Sequence, residues 1–127
     1  MDRAASLWSD TELTLGRADG ALTLADRAVA TFEATPEQRR NQGSERMARL
    51  QQVKAHLVLG DPAAAENALQ PVLDTPADQR VRPLVRRVAE VGARVAATGE
   101  PRDMVTRRIL DAVTVFRSDT VTKELPA

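Results

Sequence analysis

The stretch LVLGDPAAAENAL, Leu57 to Leu69, decides the fold. Its apolar run stops at Leu59-Gly60, restarts at Asp61-Pro62, and then carries alanines where larger side chains would bury more surface. A helix closed by a left-handed glycine, a turn, and a second helix capped by Asp61 with Pro62 in its first turn explain this order. The small residues then let the two helices lie close.

Apolar residues recur at helical spacing on both sides of this hairpin, and no stretch alternates with the period of two that a strand needs. The pattern predicts an all-α chain of about six helices. The first covers Ala4 to Leu15, with Leu7, Trp8 and Leu15 facing inward. The second covers Ala18 to Phe32, with Ala21, Leu24, Ala25, Ala28 and Phe32 on its core face. The third begins at Pro36 or Ser44 and ends at Leu59, presenting Met47, Leu50, Val53 and Leu57. The fourth runs from Pro62 to about Leu73, and Pro71 predicts a kink or an early stop near Gln70. The fifth carries Val81, Leu84, Val88, Val91 and Val95 on one stripe. The sixth begins near Pro101 and buries Val105, Ile109, Ala112, Val113 and Phe116. The segment after Phe116 lacks periodicity and reads as a flexible or partner-bound tail over 118–127.

The connecting segments carry a matching device. TPEQ offers Thr35 as a cap, Pro36 at the first helical position and Gln38 reaching back, and TPADQR repeats the arrangement at Thr75, Pro76 and Asp78. The two Thr-Pro pairs stand 40 residues apart. A shift of 44 aligns LTLGRADGA with LVLGDPAAA, so that Leu13, Leu15, Gly16 and Ala21 fall on Leu57, Leu59, Gly60 and Ala65. A period of 40 to 44 describes helical hairpins joined by linkers, the unit of an α-solenoid. The expected hairpins occupy about 4–33, 36–74 and 80–117 of a single domain, with close contacts at Gly16 and Gly60.

Composition sets outer bounds. The chain has 127 residues, 43% hydrophobic and 28% charged, which is one domain with a core of ordinary size. Rings come only from Trp8, Phe32 and Phe116, so Leu, Val and Ala build the interior. The absence of cysteine excludes disulfide frameworks, thiolate metal sites and cysteine nucleophiles. No window approaches the ~20 apolar residues of a membrane helix, and MDRAASLW has no signal-peptide core, so a cytoplasmic protein with no membrane association is expected. Among 18 basic residues only Lys54 and Lys123 are lysine, a bias expected of a high-GC bacterial sequence. Net charge is zero but uneven: residues 1–79 hold 8 basic and 12 acidic side chains, whereas residues 80–117 hold 9 and 4. That asymmetry can steer an anionic partner or bring two copies together.

Gly60, Asp61, Ala65, Leu69, Val72 and Pro76 resemble the tetratricopeptide repeat, in which a short Gly-Asp turn joins a helix pair and a proline ends the unit. Gly16, Ala21, Ala25, Ala28 and Pro36 follow the pattern more loosely, and His56 stands where that family commonly has tyrosine. The resemblance implies a short tetratricopeptide-like solenoid whose first helices line a peptide groove, here Asp10, Leu13, Met47, Leu50, Lys54 and Leu57. The longer run from Gly60-Asp61 through Pro71–Leu73, Pro76, Arg80 and Val85–Val88 resembles the C-terminal repeat region of bacterial Cro/repressor-type helix-turn-helix regulators. No helix-turn-helix precedes Asp2, so the expectation is the repeat region without the DNA-binding domain, acting through a protein or peptide partner and possible homodimerisation.

Catalytic motifs are lacking. There is no G-x-S-x-G, phosphate loop or H-E-x-x-H. His56 is the only histidine and reads as a helix position, not a metal ligand. Asp10 with Glu12, and Glu100 with Asp103, read as solvated or capping carboxylates. No catalytic residue, cofactor or metal is expected. The alternative function is nucleic-acid binding through Arg80, Arg86, Arg87, Arg94, Arg107 and Arg108. Against it, no aromatic residues are interleaved for stacking, and Glu90 and Asp111 interrupt the basic field. Salt bridges within the molecule are the plainer use of these arginines.

Overall fold

Leu57–Leu69 forms the hairpin. In the computed structural model, which describes residues 15–100 and 102–124, five α-helices follow one another and no strand occurs among the described residues. They are α1 Leu15–Ala34, α2 Gln42–Val58, α3 Pro62–Leu73, α4 Arg82–Thr98 and α5 Met104–Glu124. The helix expected over Ala4–Leu15, with Leu7 and Trp8, lies outside the described residues except for Leu15, which opens α1, and Asp10 and Leu13 lie outside them too.

The α2–α3 turn follows from its residues. Gly60 takes a positive φ of 77°, the Gly60 N–H donates to Leu57 O (3.2 Å), and the Asp61 N–H donates to His56 O (2.8 Å). These are the two bonds of a Schellman closure. The Asp61 carboxylate accepts from the Ala64 N–H at 3.2 Å and Pro62 fills the first position of α3. A methyl group at Gly60 would meet nothing within 4 Å, so this glycine serves backbone conformation and not the close helix contact expected there. The tight contact lies elsewhere. A Cβ on Gly92 would stand 2.8 Å from Val113 Cγ1, where α4 crosses α5.

The Thr-Pro pairs end helices; they do not cap the next ones. A residue before proline is driven out of the α region, and accordingly α1 and α3 stop at Ala34 and Leu73. The threonine hydroxyls donate backwards, Thr35 to Thr31 O at 2.7 Å and Thr75 to Val72 O at 2.6 Å. Each proline then opens one 3₁₀ turn, Glu37–Arg39 or Ala77–Gln79, before the following helix starts. Asn41 caps α2 by accepting from the Ser44 N–H, whereas Val81 precedes α4 with no side-chain cap.

Both 3₁₀ turns are closed by an arginine. Arg40 Nε donates to Thr35 O at 2.8 Å, and Arg80 Nε donates to Thr75 O at 2.9 Å. The repeated unit is thus Thr-Pro-x-x-x-Arg with a period of 40. The burial pattern supports the same shift, pairing Ala25 with Ala65 and Val29 with Leu69, all four buried. The 44-residue alignment fails at its glycine, because Gly16 lies in α1 and not in a turn.

Helix α2 packs on α1 and α3, α4 pairs with α5, and the two pairs meet through α2 against α4 and α3 against α5. Leu50 and Val53, Leu69 and Val72, Leu84, Val88 and Val91, and Ile109, Val113 and Phe116 fill the shared interior. Each such side chain contributes about 1.5–3 kcal/mol relative to exposure. On α1 the core stripe is Ala18, Ala25 and Val29, with Leu22 and Phe32 half-buried, whereas Leu24 points to solvent. The sequence reading placed Leu24 inward, one helical step from the true stripe. Val81 is likewise exposed, because it precedes α4. Pro71 does not stop α3, which runs on to Leu73. The chain beyond Phe116 is helical to Glu124 and not aperiodic, and its Thr120 is buried. Forty residues beyond Thr75-Pro76 the chain reads Val115-Phe116, so the Thr-Pro stop that ended α1 and α3 is missing from α5.

Candidate interaction groove

Because each 3₁₀ turn delivers a new helix, the first turns of α2 and α4 come to lie side by side. Between them is an apolar groove of about 300 Å³, formed by Gly43 and Met47 of α2 and by Val81 and Leu84 beside and within α4. Gln42, Arg46 and Gln79 complete it. Gly43 lines the groove, and a Cβ there would meet only Asn41 Oδ1, at 3.5 Å. Leu84 is fully buried and forms floor, while Val81 is exposed and forms rim. Ligand pockets of this size are commonly apolar with a few polar groups that fix orientation.

The polar groups are held in place. Arg46 Nη2 donates to Gln79 Oε1 at 2.7 Å and to Gln42 Oε1 at 3.3 Å, so its acceptors across the groove mouth are neutral amides. Arg87 Nη1 lies 3.4 Å from Met47 Sδ and ties α4 to α2 beneath it.

Of the residues expected to line a peptide groove, Met47 lines this one, while Asp10 and Leu13 lie outside the described residues. Leu50 is fully buried in the core, and Lys54 is also buried. Leu57 packs against the core cluster near the far end of α2. A side chain at a core-facing helical position cannot also form an open wall. Sequence reasoning missed Gln42, Gly43, Arg46, Gln79, Val81 and Leu84. The legible signal was the 40-residue spacing of Arg40 and Arg80, which places the starts of α2 and α4 in register.

The basic residues of the third unit do not form one patch. Arg80 is a structural staple, its side chain only 8% exposed. Its Nη1 donates to Phe116 O at 3.0 Å and Thr120 Oγ1 at 2.9 Å, its guanidinium stacks 4.0 Å above the Phe116 ring, and Asp119 lies 3.2 Å away. Arg108 forks onto Glu66 of α3 through two bonds of 2.8 and 2.9 Å. That fork holds the Glu66 carboxyl below its ordinary pKa, with the hydrogen bond as the main cause, and raises that of Arg108. Arg87 and Arg94 have partners of their own. Arg86 and Arg107 are exposed on α4 and α5.

A cavity of about 670 Å³ lies against Arg80 between the Leu73–Asp78 linker and Asp119–Thr120. Its charged lining consists of the Arg80–Asp119 pair together with Asp74 and Asp78. His56 is half-buried on α2, and no cluster of three histidine or carboxylate side chains able to hold a metal occurs among the described residues. No described helix is long and apolar enough to cross a membrane. No protein family, curated protein or solved structure matches the chain.

Proposed function

We propose that this chain is a non-enzymatic interaction module, a short tetratricopeptide-like α-solenoid, whose α2–α4 groove takes one apolar side chain of a peptide or protein partner. The observation that carries this reading is the groove itself: an apolar trough with Met47, Val81 and Leu84 at its surface and base, rimmed by immobilised hydrogen-bonding groups. A buried apolar anchor of this kind supplies most of the energy in many interfaces. The regulatory setting rests on the resemblance of Gly60–Val88 to the repeat regions of bacterial helix-turn-helix regulators, and self-association of those repeats is part of the same reading.

Selection of displayed peptides against the full chain tests it. Enriched peptides should share one large apolar residue and should lose at least tenfold in affinity on Val81→Asp, with helicity unchanged by circular dichroism. Peptides that bind Val81→Asp and wild type equally would overturn the assignment. Static light scattering across a concentration series tests self-association separately, and a strict monomer at the highest concentration removes that part.

A further inference from the structure

A second, polar cavity of about 140 Å³ lies on the other side of the Gln42–Arg46 wall, closed by Pro71 of α3. Three arginines, Arg40, Arg46 and Arg49, line it. Two are oriented by neutral acceptors. Arg40 is fixed through Nε on Thr35 O (2.8 Å) and Nη2 on Glu33 O (3.1 Å), while Arg46 is fixed by the Gln42 and Gln79 amides. The carboxylate paired with this cluster is that of Glu45, 3.0 Å from Arg49 and 3.8 Å from Arg40. Glu37 also lines the cavity but makes no ion pair within 4.0 Å among the described residues.

Three cations against two carboxylates, of which only that of Glu45 is paired with the cluster, leave a net charge of +1 around a small, preformed space. The first turn of α2, with Gln42 at its start, borders that space and adds the positive end of a 17-residue helix. The cavity has the liquid volume of roughly five waters at ~30 Å³ each. A tetrahedral oxyanion fits this room and accepts from several directions at once, which a planar carboxylate does less well. Arginines fixed before binding lose little freedom when an anion arrives.

We propose that the Arg40–Arg46–Arg49 cavity binds a phosphate group, with Glu45 occupying part of the cradle in the free protein. Glu45 then acts as an internal competitor. This site shares Gln42 and Arg46 with the apolar groove, but it does not depend on the groove taking a peptide.

The test is a titration of the full chain with inorganic phosphate at constant ionic strength, followed by amide chemical shifts and the Arg40 side-chain Nε–H. Saturable shifts are expected at Arg40, Gln42 and Gly43. Arg49→Gln should weaken binding about tenfold, the loss of one hydrogen bond to a charged group. Glu45→Gln should tighten it by a similar factor. Arg107→Gln, which removes one positive charge from α5, should leave the affinity within about twofold. Phosphoserine binding more tightly than inorganic phosphate would identify a phosphorylated side chain as the source, whereas equal affinity points to a free phosphate or a small phosphate ester. Shifts that do not saturate, a Glu45→Gln variant with unchanged or weakened affinity, or acetate binding as well as phosphate would each overturn the assignment. Urea unfolding of every variant separates lost binding from lost structure. Val81→Asp should leave phosphate binding intact, so that failure of the groove and failure of this cavity are read separately.

Discussion

Replacing Arg80 with methionine keeps the length and the apolar stem but removes every donor. The loss can be built from the structure. The stack on Phe116, at 4.0 Å and with the arginine side chain 8% exposed, is a largely desolvated cation–π contact of about 1–2 kcal/mol. The bond to Thr75 O closes the 3₁₀ turn and contributes about 1 kcal/mol. Phe116 O also accepts from the Thr120 hydroxyl, at 2.8 Å, so losing its arginine donor costs less than leaving it bare. Asp119 is half-exposed, and its ion pair adds no more than about 0.5 kcal/mol. Together these give about 3 kcal/mol, a fall in Tm of about 12 °C for a chain of this size. Chemical unfolding followed at 222 nm measures the free energy, and a double-mutant cycle with Phe116→Leu should isolate about 1–2 kcal/mol of coupling. Arg80→Lys should recover less than half, because a point charge cannot reach Thr75, Phe116 and Thr120 together. A loss below about 0.5 kcal/mol, or one abolished by high salt, would refute the view of Arg80 as a staple.

Gly92→Ala places a methyl group 2.8 Å from Val113 Cγ1 and should destabilise by about 1–2 kcal/mol despite the gain in helix propensity, with Val113→Ala restoring much of the loss in thermal melts. Gly60→Ala should cost about 1–2 kcal/mol, since the open space around the position does not relieve a φ of 77°. At Gly43 the sign reverses: alanine should stabilise by up to about 1 kcal/mol, while tryptophan there should fill the groove and abolish peptide binding without unfolding the chain. Because Arg108 lowers the folded-state pKa of Glu66, this pair stabilises the protein above the ordinary glutamate range and its contribution disappears as pH falls through the lowered value. The stability difference between wild type and Glu66→Gln, measured by urea unfolding, should therefore shrink to nothing between neutrality and strong acid.

Much of the helical layout was readable because it rests on local chemistry. Gly60, Asp61 and Pro62 each dictate one backbone or capping choice, and together they fix the α2–α3 hairpin without help from the rest of the chain. The core stripe of α4 was readable for the same reason, since Leu84, Val88, Val91 and Val95 step regularly. Reading failed where two solutions share one periodicity. On α1, alanine-rich sequence supports both the stripe through Leu24 and the one through Val29, and only the partner helix α2 selects between them. The threonines were misassigned because a hydroxyl can cap forwards or bond backwards, a following proline is compatible with both, and here the hydroxyls bond backwards to Thr31 O and Val72 O. The groove was the least legible part. Its walls come from two helices 40 residues apart, and no local pattern in either one marks the pairing.

The punctuation that ends the helices also builds the surface they expose. Thr-Pro stops α1 and α3, the 3₁₀ turn changes direction, and Arg40 or Arg80 locks that turn to the carbonyl of its own threonine. Two linkers of the same Thr-Pro-x-x-x-Arg pattern launch α2 and α4, their first turns lie together, and the unfilled space between those turns is the groove. The two arginines differ in what else they hold. Arg80 is held by Phe116 and Thr120 of α5, which has Val115-Phe116 where α3 is followed by Thr-Pro and runs on to Glu124, whereas Arg40 lines a cavity bordered by Pro71 of the shorter α3. One motif used twice thus yields a staple where the following helix is long and a guanidinium cradle where it is short. Helix length, set by whether a Thr-Pro pair interrupts the chain, is what separates the two arginines.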